Sequence, residues 1–218
     1  RSSDLFVAST IFGAALYGHS ALTDINFTSR EEEGVHALPH AWKALSTPGQ
    51  LEEAEHIRQN FGADAAVDAL AKAQNEGDRL KAVRALIMKI ADASNLTLDP
   101  DLDSYYAMDA VTVRLPKLKQ AVFELQGVLA REGTTIDETA FAITFDHLDY
   151  AADEAVASLN SSMDYNSKGE TRRALAGPAK RMHEKAEAAI ATATQIAEGR
   201  GDRAALQAQL KDLSAEVD

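Results

Sequence analysis

Residues 35–49 read VHALPHAWKALSTPG, and the fold turns on how they are read. Val35, Leu38, Trp42 and Leu45 fall at i, i+3, i+7 and i+10, the spacing of one buried stripe on a helix. Thr47-Pro48-Gly49 is the first strong breaker in the chain. One long helix from about Asp4 to Leu45 is therefore expected, and at ~1.5 Å per residue it is about 60 Å long. Gly34 and Pro39 interrupt it, which predicts either a bent helix or two abutting ones.

Downstream, the same period predicts helices near 50–75, 77–95, 101–131, 136–164, 170–198 and 202–216. Each boundary has a local cause: a glycine within Asn75 to Asp78, Asp99-Pro100, Gly133-Thr134-Thr135 and Gly199-Arg200-Gly201. Three seams support them: Leu80, Val83, Ile87, Ile90; then Leu102, Tyr106, Asp109, Val113; then Leu206, Leu210, Leu213, Val217. The expected fold class is all-α: an elongated body of two stacked antiparallel helical bundles sharing the long first helix, with residues 1–218 as a single unit.

Composition agrees. Alanine supplies 41 of 218 residues, close to a fifth, while five prolines and seven phenylalanines with few β-branched alternations exclude a sandwich or barrel. The net charge of −12 is carried by the first 167 residues, and the remainder is nearly balanced. Arg172-Arg173 and Lys180-Arg181 are isolated basic pairs, so no phosphate-binding stripe exists and nucleic acid is not an expected partner. The absence of cysteine excludes disulfides and a thiol nucleophile. Nucleophile-elbow, phosphate-loop, dinucleotide and kinase signatures are all missing, so the expectation is no enzyme and no cofactor. Nothing resembles a signal peptide or a spanning segment, and Arg1-Ser2-Ser3 reads as the edge of an excised fragment.

Polar groups on an apolar seam are the informative ones, because an unpaired buried charge is expensive. Asp109 sits on such a seam, with Arg114 beside it. It is either half of a structural pair with Arg84 or Arg114, or part of a pocket whose polar ligand completes the hydrogen bonding. Upstream, Asp99, Asp101 and Asp103 resemble the start of a calcium loop, but Ser104 and Ala110 replace the required glycine and glutamate. Acids at a helix start also cap free amides, an explanation that does not extend to Tyr105-Tyr106.

Two Glu-x-x-His pairs occur, Glu33 with His36 and Glu53 with His56, against about half a pair expected by chance. Counted from the turn at Pro48 the pairs are offset by roughly 6 Å along the helix axis, and His36 and His40 lack the glutamate of a zinc-protease helix. Solvated faces are the reading, and no metal ligand is assigned.

The run IADASNLTLDPDLDSYYAMD (residues 90–109), followed by Arg114-Leu115-Pro116, resembles a stretch of extracytoplasmic sensor regions in bacterial transmembrane receptors. These are methyl-accepting chemotaxis proteins, sensor histidine kinases and some diguanylate cyclases. Phe27, Arg30-Glu31 and Gly34-Val35 resemble an F-x-x-R-E-x-x-G-V element of the same regions. The likeness covers roughly residues 25–125 and departs at Ala107, where a bulkier apolar residue is usual.

The resemblance implies a periplasmic domain of an inner-membrane protein, set between two flanking transmembrane helices so that both chain ends approach one membrane face. It further implies a homodimer in the intact receptor and a small-molecule ligand whose binding displaces helices, with a chemoreceptor favoured over a kinase. Together with the seam position of Asp109, it marks Arg30, Glu31, Arg84, Asn95, Asp101, Asp103, Tyr105, Tyr106, Asp109 and Arg114 as the lining of a polar pocket or the network that shapes it. A ligand-free dimerising module and a metal-binding bundle are the rival classes.

Overall fold

A computed structural model describes residues 29–46, 51–98, 102–131 and 136–217. Over these residues the protein is all-α, with no strand among them. The helices are α1 Ser29–Ser46, α2 Ala54–Phe61, α3 Asp64–Lys72, α4 Glu76–Ala93, α5 Leu102–Asp109, α6 Leu115–Ala130, α7 Glu138–Tyr165, α8 Glu170–Ala197 and α9 Arg203–Val217. A π-turn, Ala110–Arg114, joins α5 to α6, and a short 3-10 turn, Leu96–Leu98, follows α4. None of these helices is long and apolar enough to cross a membrane.

Local chemistry sets most of the ends. Asn75 caps α4 by accepting the Asp78 N–H at 2.9 Å, and Asp137 caps α7 by accepting that of Ala140 at 3.0 Å. Asp202 accepts the Ala204 N–H at 2.8 Å and starts α9. Arg203 then reaches across to α6, where its Nε donates to the Leu129 carbonyl at 2.6 Å and so satisfies a free helix end.

Helix α1 continues through Pro39, which is buried, and its stripe Leu38, Trp42 and Leu45 is buried as expected. Residues 4–28 of the expected long helix, the turn at Thr47-Pro48-Gly49 and the apposition of Arg1 with Asp218 lie outside the described residues. The single helix expected over 50–75 is instead two. Gly62, in left-handed geometry at φ 58°, ends α2, and buried Ala63 leads into α3.

Two groups of helices share one hydrophobic core. In the first, α1 and α3 pack on α4, with α2 set against α3 and α4. In the second, α6, α7, α8 and α9 form a ring closed by α9 against α6, with α5 extending along α7. Buried Ala151, Ala152 and Ala155 of α7 and Ala179, Ala186, Ala189 and Ala193 of α8 line the pairing of these two helices, since small side chains let paired helices approach closely. The seams at Leu80–Ile90 and Leu206–Val217 are buried as read. The seam through Leu102 and Val113 is not: Leu102 is 48% exposed, and the inward face is Ala107, Met108, Val111 and Leu115.

Where α1, α4, α6 and α9 meet, Lys119 lies in a small recess with Leu45, Glu76 and Ser214. Burial pushes its ammonium down to about 8, and Glu76 opposes the shift. The folded chain therefore gives up this proton before the unfolded chain does, so stability rises with pH between about 8 and 10. Lys119→Met is expected to be more stable than wild type by about 1–2 kcal/mol at pH 7, with the advantage shrinking by pH 9.5. Paired urea denaturations at the two pH values check this, and a gap that stays constant or widens contradicts it.

Candidate functional site

Residues 103–114 pack along α7 through a polar ladder. Glu154, Ser158 and Ser162 follow one another at four-residue spacing on one face of α7, and Asn166 stands at its C-terminal cap. Asn166 donates to Asp103 Oδ2 at 3.0 Å, and Ser162 to the Asp103 carbonyl at 2.9 Å. Ser158 is placed to donate to Asp109 Oδ2 at 2.8 Å and to the Tyr106 carbonyl at 3.0 Å. Arg114 closes the ladder, with Nε donating to Asp109 at 2.9 Å and its fork pairing with Glu154. The Asp109 hydrogen bond raises the Arg114 guanidinium above its ordinary value.

The partner of Asp109 is thus Arg114, the structural pairing anticipated from the sequence. The tyrosines pack on each other: Tyr106 stacks on Tyr165 with ring centroids 5.6 Å apart, and Tyr105 meets Tyr106 edge-on.

The other marked residues fall at the far end of α4. Asn95 has φ 64°, the left-handed stop position after a helix that asparagine tolerates better than most residues. Arg30 Nε donates to the Ala93 carbonyl at 2.5 Å and satisfies that helix end. Glu31 is half-buried in the first turn of α1. Asp101 lies outside the described residues.

Among the described residues of the marked set, Arg84 lines an open groove, of about 460 Å3, between α4 and the π-turn. Lys81, Arg84 and Met88 form one wall, and Thr112, Val113 and Lys117 the other. The sequence explains the turn. Pro116 has no N–H to give to the Thr112 carbonyl, so the helix widens, and the Leu115 N–H bonds to the Ala110 carbonyl five residues back. Thr112 Oγ1 donates to the Met108 carbonyl at 2.7 Å and steadies the widened turn.

Electrostatically this groove differs from two others among the described residues. Its wall carries three cations and no carboxylate, and among the described residues none of Lys81, Arg84 and Lys117 is in an ion pair. In the groove between α1, α2 and α3 the charges are matched, since Arg58 pairs with Asp68 at 2.6 Å and Glu52 with Lys43. In the groove between α8 and α9, Lys185 is matched by Glu216 at 2.7 Å. Three unmatched cations on facing walls can hold a small anion by charge-assisted hydrogen bonds.

Sequence reasoning missed Lys81 and Lys117 as well as the α7 half of the ladder. The signals were present: Lys81 and Arg84 stand at i, i+3, and Ser158, Ser162 and Asn166 repeat every four residues within an otherwise apolar seam. No protein-family model, curated protein or solved structure matches the chain.

Proposed function

We propose that the chain is the extracytoplasmic sensing domain of a bacterial transmembrane receptor, of chemoreceptor type, whose ligand is a small anion held in the groove between α4 and the π-turn. The observation that carries the reading is the acid-free wall of Lys81, Arg84 and Lys117 in a chain of net charge −12. Its place in the molecule adds support. The π-turn directly follows the SYYAMD segment on which the family resemblance rests, and widened turns in helices are frequent at functional sites.

To this reading belong two stacked antiparallel bundles sharing a long first helix, a periplasmic position between flanking transmembrane helices, and a homodimer in the intact receptor. An anion bridging α4 and α6 binds best to one spacing of the two helices, and that difference in affinity is what shifts their arrangement.

A thermal-shift screen of organic acids, acidic amino acids and nitrate, each against sodium chloride of equal ionic strength, tests the proposal. At a hundredfold excess over its dissociation constant, one anion is expected to stabilise the chain by about 2.7 kcal/mol, which for this size raises Tm by roughly 5–10 °C. Arg84→Gln and Lys117→Gln are each expected to remove most of that shift while changing the ligand-free stability by less than about 0.5 kcal/mol, as surface substitutions do. A screen without a stabilising anion, or a shift that survives both substitutions, sinks the proposal.

A further inference from the structure

We infer that His36, His40 and Glu53 form a binding site for a borderline transition-metal dication such as zinc. Helix α1 sets the two histidines one turn apart on one face, with ring centroids 5.7 Å apart. Glu53 arrives from outside that helix. It precedes α2 with φ 57°, a left-handed conformation uncommon for a residue with a side chain and of the kind that concentrates at functional sites.

This turn carries the carboxylate back over α1, where Glu53 Oε2 lies 3.9 Å from His36 Nε2 and 3.8 Å from His40 Nε2. One donor atom from each residue falls within 4.8 Å of the others. Donors around a tetrahedral zinc are about 3.3 Å apart, so small rotations of partly exposed side chains close the site.

A further contact orients a ligand. Glu52 Oε2 lies 3.3 Å from His40 Nδ1, which leaves Nε2 to face Glu53. A carboxylate on the far nitrogen of a metal-bound histidine is the usual supporting arrangement in such sites. Glu52 is itself held by Lys43. Two imidazoles and one carboxylate favour zinc, cobalt, nickel or copper over calcium or magnesium, and three protein donors leave a fourth position for water or another ligand. The histidines of the two Glu-x-x-His pairs are thus not used together: His56 lies beside Asn60, with ring Nδ1 2.8 Å from Nδ2. None of the three proposed ligands lines the anion groove, so this site stands or falls separately from it.

Zinc titration of chelator-treated protein against a competing chromogenic chelator is the test, with cobalt spectra as a second readout. One zinc per chain is expected, and cobalt should give the intense visible absorption of four-coordinate geometry. His36→Ala and Glu53→Gln, both at exposed positions, should weaken zinc at least tenfold with unchanged circular dichroism, and Glu52→Gln by about tenfold. His56→Ala should leave the affinity at the wild-type value. Absence of stoichiometric zinc, or a Glu53→Gln variant that binds as tightly as wild type, would overturn the site.

Discussion

Gly34→Ala is expected to destabilise the protein by about 1–3 kcal/mol, a fall in Tm of roughly 2–4 °C per kcal/mol for a domain of this size. The ordinary expectation has the opposite sign, because alanine in a helix interior is favoured over glycine by about 1 kcal/mol. Packing decides the matter. A Cβ on Gly34 would overlap Ser94 Oγ and Cβ and come within 2.9 Å of Leu96 Cδ1. Neither neighbour yields easily. Ser94 is fully buried with Oγ donating to the Ile90 carbonyl at 2.7 Å, and Leu96 is fully buried.

Gly127→Ala in α6 is the matched control, since nothing lies within 4 Å of its added Cβ, and a gain of about 0.5–1 kcal/mol is expected there. Opposite signs for the two substitutions in thermal denaturation confirm the close crossing of α1 and α4. Equal signs would refute it. The same crossing gives a physical meaning to the two separated parts of the family-like pattern: Gly34 touches Ser94 and Leu96, and Arg30 holds the Ala93 carbonyl.

Asp109→Ala is expected to cost about 2–3 kcal/mol, somewhat below the ~3–5 kcal/mol of a fully buried pair. The discount reflects side-chain exposures of 15% for Asp109 and 27% for Arg114. The loss has two parts: Arg114 keeps only Glu154, and Ser158 keeps only the Tyr106 carbonyl. Asp109→Asn retains an acceptor for Ser158 and should lose about half as much.

A double-mutant cycle with Ser158→Ala isolates the shared hydrogen bond, for which a coupling of about 0.5–1.5 kcal/mol is expected. Anion affinity is the second readout. Asp109→Asn should leave it within about threefold of wild type, because the ladder holds α5 to α7 and does not line the groove. A tenfold loss with unchanged stability would reverse these roles.

The helical period revealed α4, α7, α8 and α9 to within two residues, because each has a clean apolar stripe and a capping or glycine boundary. It failed where backbone geometry changes without a change of period. Gly62 splits the expected 50–75 helix, and Glu53 in left-handed geometry turns what reads as a solvated helix face back over His36 and His40. The π-turn shifts the buried face of the following residues, which is why the seam drawn through Leu102 and Val113 misses Met108 and Val111.

The resemblance marked residues 103–109, whose polar side chains face α7 and satisfy one another there. Ladder partners such as Ser158 and Asp109 stand 49 residues apart, and no local pattern pairs them. The groove needed three dimensions as well, since Lys81 and Lys117 become a pair of walls only once α4 packs beside the π-turn.

On the proposed function, a small anion sits between α4 and the π-turn. Amide chemical-shift mapping of the labelled protein, titrated with the anion that emerges from the thermal-shift screen, tests it most directly. Saturable perturbations centred on residues 81–88 and 110–117, and abolished by Arg84→Gln, are the predicted result. Perturbations centred on residues 103–109 and 158–166, or none that saturate, would contradict it.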